Sequence, residues 1–180
     1  LLLASLNGAQ LSIEFVAKWE ARLVTLSESW HAARNNSSLS LSRIAYLVSE
    51  PVLIDSTGSE HILHDWYGLI DFEAGITSVD LVDLPPLEFT AIEFLIGLEP
   101  EINQSDPAKF AAKHPLNPIH NKLHWNWQDG YIFLALEGHW HTKYKKGGFS
   151  YHLGNEPHRM RVRMPAAVDL RTSDAVSYTH

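Results

Sequence analysis

The stretch LSLSRIAYLVSEPVLID, residues 39–55, decides the fold class. It is too apolar and too rich in β-branched and aromatic residues for a surface loop, and its apolar residues follow no helical spacing. It reads as a strand carrying one irregularity where the apolar phase changes. Upstream, QLSIEFVAKWEARL at residues 10–23 alternates almost without fault, with Leu11, Ile13, Phe15, Ala17, Trp19, Ala21 and Leu23 on one side. That pattern predicts a long first strand. The polar segment between them, with its Asn35-Asn36-Ser37-Ser38 cluster, reads as a loop.

Downstream, strand follows strand. EHILHDWYGLID at 60–71 reads as a half-buried strand, and TSVDLVDLPP and LEFTAIEFLIGL add two more, separated by Pro85 and Pro86, which no central ladder accepts. LHWNWQDGYIFLALEG at 123–138 carries the Asp129-Gly130 turn signal. Lys145 to Gly148 reads as a hairpin tip, and HRMRVRMP at 158–165 alternates Met160, Val162 and Met164 with arginines. One segment signals a helix: in SDPAKFAAKH, Ser105 or Asp106 is the cap, Pro107 suits the first turn, and Pro115 ends the run near His114. The expectation is an all-β protein, an antiparallel and loop-rich β-sandwich with one or two short helices. Residues 10–180 read as a single domain, and residues 1–9 as either a leader remnant or the lead-in to the first strand.

Composition excludes several chemistries. The net charge of −7 and the lack of any long basic run leave no surface for nucleic acid. No apolar run is long enough to span a membrane as a helix. With no cysteine, disulfides, thiolate metal sites and thiol nucleophiles are all absent. Neither a Gly-x-Ser-x-Gly elbow nor an HExxH helix is present, which removes the usual supports of serine hydrolases and zincins.

Histidine is the outlier, with 11 copies against 14 lysines and arginines. In a strand, residues two apart share a face, so His64 and Trp66 are expected to address one point in space. The same spacing pairs His139 with His141 around Trp140. His114 lies where the expected helix breaks, and His120 and His124 frame a short Asn-Lys-Leu segment. Asp80 with Asp83, Glu99 with Glu101, and the oxygen-rich EPEINQSD at 99–106 are candidate calcium ligands without EF-hand spacing, or simply a solvated rim. Trp125 and Trp127 are either core packing or an aromatic platform for sugars.

The segments HPLNPIHNKLHWNWQDGYIFLALEG (114–138), FSYHLG (149–154), YGLID (67–71) and IEFLIG (92–97) resemble the MbnP-like family of secreted, metal-associated proteins. Within it, the likeness is to the copper-repressible surface copper proteins of methane-oxidising bacteria, the CorA and MopE type. It runs over about residues 10–165, with Trp125 to Tyr131 its most specific block. The resemblance implies a secreted or periplasmic copper(I)-binding protein, not an enzyme, that scavenges or stores copper. The implied site is mononuclear, with two histidines and a tryptophan oxidised to kynurenine. Carried onto this chain, those are His64, His114 and Trp66, with Trp140 between His139 and His141 as the rival position. A di-haem peroxidase-like protein is the implied partner that oxidises the tryptophan. The chain departs from much of the family in lacking a four-cysteine pattern. Two other classes stay open: a copper or zinc enzyme using His64, His114 and His120, and a sugar-binding module built on Trp125 and Trp127.

Overall fold

The run that decides the fold class forms one continuous strand, Ser37–Asp55, of 19 residues. Its phase breaks where Glu50 takes a φ of 47° and Pro51 brings no N–H to the ladder. The computed structural model describes residues 8–126, 129–171 and 175–179. In chain order the strands are β1 (Ala9–Glu14), β2 (Lys18–Trp19), β3 (Arg22–Leu23), β4 (His31–Ala33), β5 (Ser37–Asp55), β6 (Glu60–Ile62) and β7 (Tyr67–Asp71). Then follow β8 (Ser78–Leu84), β9 (Glu88–Ile96), β10 (His124–Asn126), β11 (Gly130–His141), β12 (Lys146–Gly154), β13 (Met160–Asp169) and β14 (Ala175–Thr179). Two single-turn helices, α1 (Pro100–Asn103) and α2 (Pro118–Asn121), lie in the segment between β9 and β10.

β5 organises the larger sheet. Along one edge it pairs in turn with β4, β7 and β6, and along the other with β11 and then β9. β12 extends the sheet beyond β11, and β13 beyond β9. The smaller sheet runs β14-β1-β8, and β14 lies parallel to β1, an exception to the antiparallel rule elsewhere among the described residues.

Neighbouring residues of β5 serve two cores because side chains alternate across a strand. Val48 and Leu53 belong to the sandwich core, where Leu11 and Ile13 of β1 and Leu81 of β8 meet Phe89, Ile92 and Phe94 of β9. Each fully buried side chain of this kind stabilises the fold by about 1.5–3 kcal/mol. Leu47 points the other way, into a second core with Leu69, Tyr131 and Phe133 that is roofed by Leu98, Leu116 and Leu123. Residues 98–123 therefore act as a lid of irregular chain over one face of the sheet. No described helix is long and apolar enough to cross a membrane.

The all-β, sandwich-like expectation holds, and four local expectations do not. The long first strand stops at Glu14; Phe15 still donates to Thr77 O, but the chain then folds into the β2–β3 hairpin through Glu20 at φ 55°. β8 runs out of partners there, so the alternation continues with little to bury it, and Leu23 is left exposed. The helix expected over 105–114 is a 3-10 turn, Pro107–Lys109: Asp106 does cap it, accepting from Ala108 N, while the Ser105 hydroxyl turns back to Ile102 O. With Phe110 as its single large apolar residue, the segment has no stripe that would anchor a helix. The hairpin tip lies earlier than expected, at Thr142–Lys145, since Lys146 already pairs with His141. The 60–71 run is two strands, with consequences for the site.

Candidate metal site at Trp66

β6 and β7 lie on the same edge of β5, on either side of its break at Glu50 and Pro51. The chain between them has to pass that break without a ladder partner, and only Leu63 N finds one, at Pro51 O. His64 and Asp65 accordingly form a turn, with Asp65 at φ 54°. The expected strand face shared by His64 and Trp66 does not exist: His64 projects from the turn as an exposed residue, while Trp66 leads into β7 half-buried.

Trp66 packs against the sandwich core, its ring 6.3 Å from that of Phe94, and its indole N–H donates to Asp80 O at 3.2 Å. Gly68 makes this possible. A Cβ there would come within 2.8 Å of Trp66 Cη2 and Val48 Cγ2 and 2.9 Å of Val79 Cγ1. The next residue, Tyr67, faces the second core, where its ring lies 6.0 Å from His114. A cleft of about 230 Å³ opens along this edge, lined by Trp66, Tyr67, Ile76, Asp80, Pro115 and His120 among others.

His114 is held closely. Its ring stacks on Phe110 at 4.5 Å and 16°, and its Nδ1 accepts a 3.0 Å hydrogen bond from Leu116 N. Burial pushes its pKa below the usual histidine value, so the ring is neutral at physiological pH. With Nδ1 accepting, the proton of that neutral ring sits on Nε2. Burial acts in the same direction on His124, which packs edge-on against Tyr131 at 4.6 Å.

Three asparagines place these groups, of which Asn103 alone fell within a run read as a candidate site, the oxygen-rich 99–106 segment. Asn117 caps α2 by accepting from Ile119 N and His120 N, and it donates to Phe110 O. The completely buried Asn121 donates to Pro115 O and accepts from Leu123 N, and Asn103 accepts from Tyr131 N. Tyr131 ties the lid to the sheet through a 2.6 Å bond to Leu116 O, and burial pushes its phenol up to about 12. The Asn117-Pro118 pair was the available signal: asparagine before proline is a cap followed by a first-turn residue.

Of the sequence candidates, Trp66 and His120 therefore share one cleft, and His114 lies beside Tyr67 at its border. Among the described residues His64 makes no contact with any of them that a hydrogen bond or ring pair would register. No three His, Asp or Glu side chains among the described residues gather as a metal site, so the three-histidine set with His120 is not assembled. Glu99 is paired with Arg159, and Asp106 with its own turn. Trp125 is folded down over Gly154, where a Cβ would come within 2.6 Å of its ring, and Trp127 lies outside the described residues.

The architecture is thus that of an all-β protein with a two-sided sheet, whose tryptophan and histidine cleft lies at the seam between the sandwich and the lid. The chain matches the MbnP family over residues 8–178 and belongs to that family. Among solved structures it is similar to MbnP from Methylosinus trichosporium, with a TM-score of 0.59 at 17% identity, covering 93% of this chain and 75% of that one. At that identity the likeness speaks to the fold. No curated protein matches the chain.

Proposed function

We propose that this member of the MbnP family is a copper(I)-binding protein, not an enzyme, that scavenges or stores copper through His64, His114 and a kynurenine made from Trp66. The observation that carries the reading is the convergence at the start of β7: Trp66 lines a cleft beside the Pro115 loop, whose two flanking histidines are His114 and His120. The donor chemistry fits. Copper(I) is satisfied by few ligands, and neutral imidazoles serve it in a chain with no thiolate. An intact indole is only a donor, and that of Trp66 is already committed to Asp80 O, so opening the ring to kynurenine supplies the nitrogen the site otherwise lacks.

Metal binding asks two changes of the local structure. Trp66 gives up its bond to Asp80 O, and His114 gives up its bond from Leu116 N, because the one lone pair of the neutral ring is the Nδ1 pair that accepts it. Each exchange costs about 0.5–1.5 kcal/mol, small against a metal–imidazole bond. His64, exposed on its turn, would have to rotate toward the cleft mouth to join them.

Secretion to the cell surface or periplasm and a di-haem peroxidase-like partner as oxidant of Trp66 belong to the same proposal. Calcium as a second ion on the 99–106 run would have to draw Glu99 away from Arg159. The test is peptide mass mapping with copper quantification on natively produced protein. A Trp66 peptide that has gained one oxygen and lost one carbon, with one retained copper that disappears in His64→Ala and in His114→Ala, is expected. Unmodified Trp66 in copper-loaded protein would overturn the kynurenine site, and retention unchanged in both variants would overturn its ligands.

A further inference from the structure

We propose that His139 and His141 form a second, independent transition-metal site on the outer end of β11, with Trp30 as its wall. Period-two spacing on a regular strand sets the two imidazoles on one face, with their Cα atoms roughly 6.6 Å apart. Two rings rooted at that distance can converge on one ion with metal–nitrogen bonds of about 2.0–2.1 Å. β11 holds its regular pairing on both sides here: His139 stands between Ser40 and Gly148, and His141 between Ser38 and Lys146. The backbone under the pair is therefore set before any ion arrives.

Four further observations point to a ligand. Both histidines are exposed, and among the described residues neither ring takes a hydrogen bond, whereas His61, His114, His152 and His158 are all engaged. The pair lines a cleft of about 540 Å³ together with Trp30 and Trp140. Trp30, half exposed, meets the His141 ring at 4.5 Å and 63°, so an ion at His141 sits against an indole. Opposite His139, Gly148 has no side chain to fill the cleft, and a Cβ there would meet nothing closer than 3.6 Å. Glu137, two residues before His139, is already bonded to Arg43 and His152 and is not an available third ligand.

Two neutral imidazoles with open positions for water suit a late first-row ion, and copper(II) binds such a set most tightly. The charge of Lys146 across from His141 opposes any cation, so Lys146→Ala should tighten binding.

The decisive experiment titrates copper(II) into the full chain carrying Trp66→Phe and His114→Ala, following tryptophan fluorescence and copper stoichiometry after desalting. One retained equivalent that quenches Trp30 emission is expected. Adding His139→Ala or His141→Ala, both surface changes, should weaken binding at least tenfold, and Trp30→Phe should reduce the quench to the part that falls on Trp140 while leaving the stoichiometry. Binding unchanged in both histidine variants, or a quench that Trp30→Phe leaves undiminished, would overturn the site and assign the copper to other histidines.

Discussion

The cleft at Trp66 and the cleft at Trp30 hold similar residues and are built in opposite ways. At Trp30, a regular strand sets His139 and His141 side by side through backbone geometry alone, with ladder partners on both edges. At Trp66, nothing regular holds the histidines. His64 rides a turn forced by the break in β5, and His114 and His120 sit in a lid whose shape depends on Asn117 and Asn121. The strand-built pair is exposed and takes no hydrogen bond among the described residues, whereas at the other cleft Trp66 and His114 are half-buried and hydrogen-bonded and His64 stands exposed. The difference is between a site that needs only secondary structure and one that needs the tertiary fold.

The largest expected effect separates the two directly. Asn121 is fully buried and satisfies Pro115 O and Leu123 N, so Asn121→Ala strands a buried amide and a half-buried carbonyl and should cost about 3 kcal/mol in equilibrium unfolding. On the proposed copper reading, copper retained at Trp66 should fall with it, while the proposed copper(II) binding at His139 and His141 stays. Equal loss at both clefts would show that they are not built independently.

A smaller effect sits in the first cleft. Gly68→Ala drives a methyl group into Trp66, Val48 and Val79 and should destabilise the protein by about 1–3 kcal/mol, with a shift in tryptophan emission as the ring is displaced. An unchanged emission spectrum would mean that the Trp66 ring is not held by β7.

The smallest effect lies away from both, at the far end of β5. The Asp55 carboxyl is held well below the usual carboxylate range, first by the hydrogen bond from His61 and then by that from the Thr57 hydroxyl, with the amides of Thr57 and Ser59 adding to them. A lowered folded-state pKa means that this contribution is complete above about pH 4 and drains away as the pH falls further. Acid titration of Asp55→Asn should therefore show a flatter loss of stability below pH 4 than the parent, with both clefts unaltered at neutral pH. Parallel acid curves would remove Asp55 as the source.

The strands were legible wherever a run paired along its whole length. β5, β8, β9 and β11 fall where alternation or continuous apolar character placed them, and the irregularity in β5 lies at Glu50 and Pro51. Expectations failed where a neighbour ran out. Alternation from Leu11 to Leu23 is real in the sequence, but past Glu14 neither main sheet offers a partner among the described residues, and the chain pairs only within its own β2–β3 hairpin. The His64–Trp66 spacing failed for a related reason, since the break that interrupts β5 also interrupts whatever pairs beside it. β4 and β14 escaped notice because three residues after a polar loop, and five near the end of the chain, are too few to show a period.

By itself the sequence determined the class of fold, the absence of thiol chemistry, the membership of a family and the pairing of His139 with His141, because each rests on composition or on spacing within one element. Only the tertiary structure decided that Trp66 meets the Pro115 loop, that His64 stands apart on a turn, and that Trp30 leans on His141. Those depend on which distant segments share an edge of β5, and a partner's register is a property of two strands together, written in neither one alone.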